Sequence, residues 1–249
     1  ILERNTRAAV STGYGIMLTT GCVNMSVERN FVRNLFATSA STHTNICYAL
    51  YCSSTASSVG TENRFINNIV SNITGNGTAY GLYLTTATYV QAYNNTIVFN
   101  DPSTTTATTY GVYSSATGAG IDIRNNNFYI TRGGTGTVYG VYLASATAIS
   151  DYNNIYVSSG ASRYVGYYTL GFTSLASWQT ANGATFDQSS TSLDPLFTNP
   201  IALNYKPTSP AMNNKGVSLA AVTVDFDSAT RGASPDIGAY EYNAVGTNG

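Results

Sequence analysis

Tyr80-Gly81-Leu82-Tyr83, Tyr110-Gly111-Val112-Tyr113 and Tyr139-Gly140-Val141-Tyr142 are three copies of one phrase, and they decide the fold. Weaker copies are Tyr14-Gly15-Ile16-Met17, Tyr48-Ala49-Leu50-Tyr51 and Val165-Gly166-Tyr167-Tyr168, at successive spacings of 34, 32, 30, 29 and 26 residues. A second phrase follows each: Glu28-Arg29-Asn30-Phe31, Asn67-Asn68-Ile69, Asn94-Asn95-Thr96-Ile97, Asn125-Asn126-Asn127-Phe128 and Asn153-Asn154-Ile155. Each unit is a short apolar run bounded by Asn, Gly, Ser or Thr, which reads as strand, turn, strand. A repeat of this period without helical periodicity predicts an all-β chain: a parallel β-helix, or solenoid, of about six repeats of 26–34 residues. Like residues on successive rungs then stack about 4.8 Å apart.

Composition agrees. The 249 residues include 20 tyrosines, and only 9% are charged, against roughly 25% in an average soluble domain. Tyr, Thr and Asn favour strands and turns over helices. Net charge of −1 and a pI near 5.7 leave no basic stripe for nucleic acid, and no apolar run reaches the ~18 residues of a membrane span. Cys22, Cys47 and Cys52 allow at most one internal bridge. Loops of varied length, such as 101–109 and 132–137, are expected along one edge.

The pattern changes near residue 170. Leu175-Ala176-Ser177-Trp178, Asp194-Pro195-Leu196-Phe197, Asn204-Tyr205-Lys206-Pro207 and finally Asp236-Ile237-Gly238-Ala239-Tyr240-Glu241-Tyr242 occur in that order. This succession resembles the C-terminal region of secreted bacterial right-handed parallel β-helix proteins, the pectate-lyase-like superfold. The resemblance implies rungs over 1–170, a C-terminal β region of final rungs or cap over 171–242, a linker-like tail over 243–249, and export to the cell surface. It does not imply a reaction, because that superfold hosts lyases, hydrolases and adhesins alike.

Alternation along a strand places Leu82 and Leu84 on one face and Gly81 and Tyr83 on the other. With the aliphatics inside, Tyr51, Tyr83, Tyr113, Tyr142 and Tyr168 form an outward column beside a glycine trough, suited to glycan or subunit contact or to self-stacking. The asparagines (Asn30, Asn67 or Asn68, Asn94 or Asn95, Asn126, Asn154) read as a structural turn ladder. Glu3, Glu28 and Glu62, each near an arginine, suggest a charge-compensated column. No catalytic set stands out; Asp122 and Arg124, of one parity beside the long-loop edge, are the best pair on offer and a weak one, and His43 sits in a Ser/Thr loop. Asp225, Asp227 and Asp236 offer a Ca²⁺ site, against a plain cap in which Arg231 pairs with one aspartate; no other cofactor is suggested. Glu3-Arg4-Asn5 repeats the type and order of Glu28-Arg29-Asn30, which predicts an open rung edge for head-to-tail assembly with another copy. The leading expectation is a non-catalytic exported structural or adhesive protein whose partners are itself or an extracellular polysaccharide. A polysaccharide lyase or hydrolase and a glycan-binding module are the alternatives.

Overall fold

The structure, a computed structural model, describes residues 1–3, 11–35 and 44–243. It is a parallel β-solenoid of about five turns, with three sheets wound around one core. Sheet B holds the tyrosine phrases: Gly13–Leu18, Cys47–Cys52, Ala79–Leu84, Thr109–Ser114, Val138–Leu143 and Arg163–Tyr168, all parallel, with Leu170–Phe172 added antiparallel at the end. Sheet C holds Ser26–Glu28, Asn63–Ile66, Val90–Tyr93, Ile121–Arg124 and Ile149–Asp151. Sheet A holds Leu2–Glu3, Phe31–Arg33, Ile69–Ser71, Thr96–Phe99, Asn127–Ile130 and Asn154–Val157. The chain runs B, C, A in every turn. No helix among the described residues is long and apolar enough to cross a membrane.

Register is set by like residues. Leu50, Leu82, Val112 and Val141 lie above one another and are fully buried, as the aliphatic reading requires. Phe65, Ala92 and Ile123 from sheet C, and Val70, Ile97, Phe128 and Ile155 from sheet A, fill the same core.

The corner from C to A is always two residues. Its first residue is left-handed: Arg29, Asn67, Asn94, Asn125 and Tyr152 have φ of 53°, 54°, 54°, 59° and 55°. Asn tolerates this conformation better than other non-glycine residues. The second residue is always Asn, and its buried side chain builds the ladder. Asn30 Nδ2 donates to Asn68 Oδ1 (3.1 Å), Asn68 to Asn95 (2.9 Å), Asn95 to Asn126 (2.9 Å) and Asn126 to Asn153 (3.1 Å). Each backbone N–H of Asn30, Asn68, Asn95 and Asn126 also reaches the Oδ1 of the next rung. The ladder therefore ends at Asn153 and not at Asn154, which pairs with Asn127 one position later in sheet A. The other two corners both vary in length, so insertions are not confined to one edge: A-to-B loops include 100–108 and 158–162, B-to-C loops include 53–62 and 85–89.

After Phe172 no further rung follows among the described residues. Residues 171–242, expected as final rungs or cap, form a cap and a strap with isolated bridges. The helix Leu175–Thr180, capped by Ser174, drops Trp178 into the end of the core. Sheet B explains why it fits. Tyr164 aligns with Tyr139 and Tyr167 with Tyr142, so Gly166 occupies the row of Val141 and Val112. A Cβ on Gly166 would lie 2.2 Å from Trp178 Cδ2, so the indole fills the space an aliphatic takes on other rungs. Below it, fully buried Asp187 accepts from Trp178 Nε1 (2.8 Å), Asn153 Nδ2 (3.0 Å), Ser150 Oγ (2.9 Å) and Ser190 Oγ (2.6 Å).

Residues 194–242 then run back along the outside of the solenoid. Phe197, Leu203, Tyr205, Phe226, Ala239 and Tyr240 cover the outer side of sheet A over Phe31, Ile69, Val98 and Tyr129. Leu219 and Val222 cover Ile66 and Tyr93 on sheet C. The left-handed asparagines fasten this strap: Asn67 Nδ2 donates to Val224 O (2.7 Å), Asn94 Nδ2 to Asp236 O (3.1 Å) and Asn125 Nδ2 to Val217 O (2.7 Å). Among the described residues, no strap segment covers the outer side of sheet B.

Candidate functional site

The uncovered side of sheet B is built from the tyrosine phrase, in a way strict alternation does not anticipate. Along Ala79–Leu84 the tyrosines are half-buried, while Gly81, Leu82 and Leu84 are buried. Two neighbours, Gly81 and Leu82, both face inward, and the tyrosines on either side of them both face outward. The inward position holds Gly on four rungs, Ala49 on another and Val165 on the last, as the room in the core allows. A Cβ on Gly81 would sit 2.4 Å from Ile97 Cγ2, and one on Gly140 2.3 Å from Ile155 Cγ2. The expected glycine trough on the surface is therefore absent, because those positions look into the core.

Two tyrosine columns result. One is Tyr14, Tyr48, Tyr80, Tyr110, Tyr139 and Tyr164, with stacked centroids 4.7–5.3 Å apart. The other is Tyr51, Tyr83, Tyr113, Tyr142 and Tyr167, at 4.3–5.4 Å. Rings of the two columns meet edge to face, as for Tyr80 and Tyr83 at 4.7 Å and 76°, the geometry aromatic quadrupoles favour. Four of the five expected contact tyrosines lie in one column. Tyr168 does not: it turns toward the cap and meets Phe186 at 5.6 Å, and Tyr167 takes its place. The mismatch arose from aligning the last copy on its glycine, whereas the rung aligns on its tyrosines. The whole first column was missed, although its signal, the opening Tyr of every phrase, was in view.

Ring planes within a column are tilted by only 1° to 22° from one another. Ring faces are thus turned toward neighbouring rungs, and the surface presents rims and hydroxyls over roughly 24 Å, six rungs at the sheet spacing. Burial, then the proximity of other phenols, pushes Tyr110 and Tyr142 up to about 12 and raises Tyr48, Tyr80, Tyr83 and Tyr139.

A second feature lies on sheet C. Arg64, Gln91 and Asp122 occupy one outer row, and Glu28, Ile66, Tyr93 and Arg124 the next. With the strap residues 218–221 they line a groove of about 630 Å³. Asp122 and Arg124 do meet there. Arg124 Nε donates to Asp122 Oδ1 (2.7 Å), and Tyr93 Oη donates to Asp122 Oδ2 (2.6 Å). The Arg124 guanidinium lies 5.5 Å from the Tyr93 ring centre. Both carboxylate oxygens of Asp122 are therefore engaged. The Asp122 hydrogen bond also raises Arg124, and burial with Asp122 raises Tyr93. The A-to-B loops do not border this sheet; the loops beside the pair are the B-to-C ones, which vary in length as well.

The aspartates proposed for Ca²⁺ are not gathered around a shared point. Asp225 accepts the amides of Ala229 (2.7 Å) and Glu241 (2.8 Å), Asp236 those of Asn214 (2.6 Å) and Tyr242 (2.8 Å), and Asp227 is exposed. Arg231 pairs with Glu241 at 2.5 Å, not with an aspartate, and donates to Asn67 Oδ1 (2.8 Å) and to the carbonyls of Asp236 and Gly238. These residues lock the strap. Burial raises Asp236 and Glu241 and lowers Arg231. Gly238, at φ 93°, carries the chain past Thr96, whose Oγ1 accepts the Ala239 amide (2.9 Å).

Glu3, Glu28 and Glu62 do not form a column. Glu3 lies in sheet A opposite Arg33, with which it pairs at 3.1 Å; Glu28 lies in sheet C opposite Ile66; Glu62 pairs with Arg64 at 3.2 Å. Likeness of residue order misled here, because Glu3 belongs to a different sheet from Glu28. Arg4, Asn5 and His43 lie outside the described residues. All three cysteines are free, and burial pushes the Cys47 thiol up to about 12.

No family model matches the chain, and neither a curated protein nor a solved structure matches it significantly.

Proposed function

We propose that the chain is a non-catalytic structural and adhesive solenoid of the cell exterior, and that the tyrosine side of sheet B is its contact surface. One observation carries this reading: strap and cap cover other parts of the solenoid, while eleven stacked tyrosines are left facing outward. A rigid sheet of phenol rims and hydroxyls suits an extended partner, because Tyr combines an apolar body with a polar tip and loses little rotamer entropy on contact. Since ring faces are occupied by neighbouring rungs, contact with a polysaccharide runs through hydroxyls and ring edges. Export rests on the resemblance of the C-terminal motifs. Lateral contact through this surface fits better than head-to-tail stacking, because Leu170–Phe172, Trp178 and Thr191 already occupy the C-terminal rung.

Retention on insoluble polysaccharides and on cell surfaces tests the proposal. The parent is expected to be retained, and Tyr83→Ser with Tyr113→Ser to cut retention severalfold while circular dichroism stays β-rich. Equal retention of both proteins overturns it.

The groove favours a second reading, a lyase or hydrolase acting on an extracellular polysaccharide, with Asp122 and Arg124 in it. A catalytic base must be free to take a proton, and Asp122 is bound on both oxygens. No cleavage of uronate polymers is therefore expected, with or without Ca²⁺. Unsaturated product that disappears on Arg124→Ala would favour the enzyme.

A further inference from the structure

We infer that the tyrosine columns are a site of oxidative cross-linking, in which a one-electron oxidant of the peroxidase type staples adjacent rungs through dityrosine bonds. This goes beyond adhesion and does not depend on what the surface contacts.

The chemistry needs two phenols held side by side and open to solvent. Each loses one electron and its hydroxyl proton, giving a phenoxyl radical with spin on the ring carbons ortho to oxygen. Two radicals join through a carbon–carbon bond between ortho carbons, and the two displaced ring hydrogens return to the oxygens. Overall, two tyrosines and one hydrogen peroxide give one dityrosine and two waters.

Sheet B supplies the geometry at every rung. Tyr142 and Tyr167 have centroids 4.3 Å apart and planes within 5°. Tyr113 and Tyr142 follow at 4.7 Å, and Tyr80 and Tyr110 at 4.7 Å with planes 1° apart. Rotation about the side-chain bonds is enough to bring ortho carbons together without moving the strands. The columns also touch each other edge to face along their length. A radical formed on any of these tyrosines therefore has a neighbour within ring contact, and can pass along the ladder until it meets a second. Tyr129 and Tyr156 provide an internal comparison: they stack at 5.2 Å on sheet A, remote from the ladder.

A stapled pair joins residues 25 to 34 positions apart in sequence, and a cross-link closing such a loop restricts the unfolded chain. The consequence is a solenoid that resists peeling from its ends.

The test treats the dilute full chain with a haem peroxidase and hydrogen peroxide, then measures dityrosine fluorescence, chain size and cross-linked peptides. Expected are intramolecular links within the two columns, led by Tyr142–Tyr167, at several times the yield of Tyr129–Tyr156, together with a higher denaturant midpoint. Tyr142→Phe keeps the stacking and removes the coupling phenol, so it should abolish the leading link and leave the dichroism unchanged. The same treatment in denaturant should scatter the links. The inference fails if the folded chain links Tyr89, Tyr152 or Tyr205 as readily as ladder residues. It fails equally if the products are only intermolecular.

Discussion

Sheets A and B are strands of the same coil, yet their outer sides have opposite fates. On sheet A the outward residues are mixed, Phe31, Ile69, Val98 and Tyr129, and the strap of residues 194–242 covers them. On sheet B they repeat as tyrosine from rung to rung, and the rings satisfy one another. An irregular apolar side needs a shaped partner, whereas a periodic aromatic side provides its own packing and can stay open to water. The lesson is that repetition itself makes an outer surface stable without a cover.

Four changes would break or sharpen this contrast. The largest effect is expected below the open sheet. Val112→Asp puts an unpaired charge in the fully buried row shared by all rungs, at a cost of roughly 5 kcal/mol. Loss of the cooperative melt would show that the interior under sheet B is as firmly packed as that under the strap. Next comes the closed side: Arg231→Ala leaves half-buried Glu241 without its ion-pair partner and frees two carbonyls, costing about 2–4 kcal/mol. Limited proteolysis should then cut within 213–242 while the rungs remain protected. Smaller is the open side, where Tyr83→Ser with Tyr113→Ser removes stacked and edge contacts worth about 1–3 kcal/mol, read from denaturant midpoints. A loss as large as that of Arg231→Ala would mean the tyrosines are core, not surface.

The smallest effect appears only in alkali. Burial holds the protons of Tyr48, Tyr80, Tyr83 and Tyr139 above the usual range near 10, and those of Tyr110 and Tyr142 up to about 12. The unfolded chain then releases protons first, so stability is intact below pH 10 and falls as pH rises toward 12. Spectrophotometric titration should show ladder tyrosines ionising late, and Tyr110→Phe should lessen the fall. Titration of all tyrosines near 10 would contradict this.

The contrast also explains what was legible beforehand. The period, the parallel solenoid, the buried Leu82, Val112 and Val141, and the outward Tyr83 and Tyr113 follow from local repetition, which a sequence displays openly. The two inward neighbours Gly81 and Leu82 were not legible, because alternation by two is the default for a strand and only the packing of Ile97 against the glycine shows that it fails. Hence Tyr80 and its column were assigned no outward role. The strap was least legible. Its fastening bonds, such as Arg231 to Asn67 and Asn125 to Val217, join residues 164 and 92 positions apart with no period to reveal them. Asp122 and Arg124 were paired correctly from parity, but the Tyr93 hydroxyl that completes their network comes from the neighbouring rung.

The asparagine ladder has a direction. From Asn68 to Asn126 each side-chain oxygen accepts from the rung before, one N–H donates to the asparagine of the rung after, and the other returns to a backbone carbonyl of the rung before, so the side-chain carbonyls all point one way. The row ends at Asn153, where its Nδ2 meets the carboxylate of Asp187. Burial raises that carboxyl, and the four side-chain donors around it oppose the rise. The core thus carries a one-dimensional polar row with a buried acid at one end. Asp187→Asn would keep the shape of the cap and remove the acceptor pair that terminates the row, so the loss should be felt first at Asn153 and Trp178.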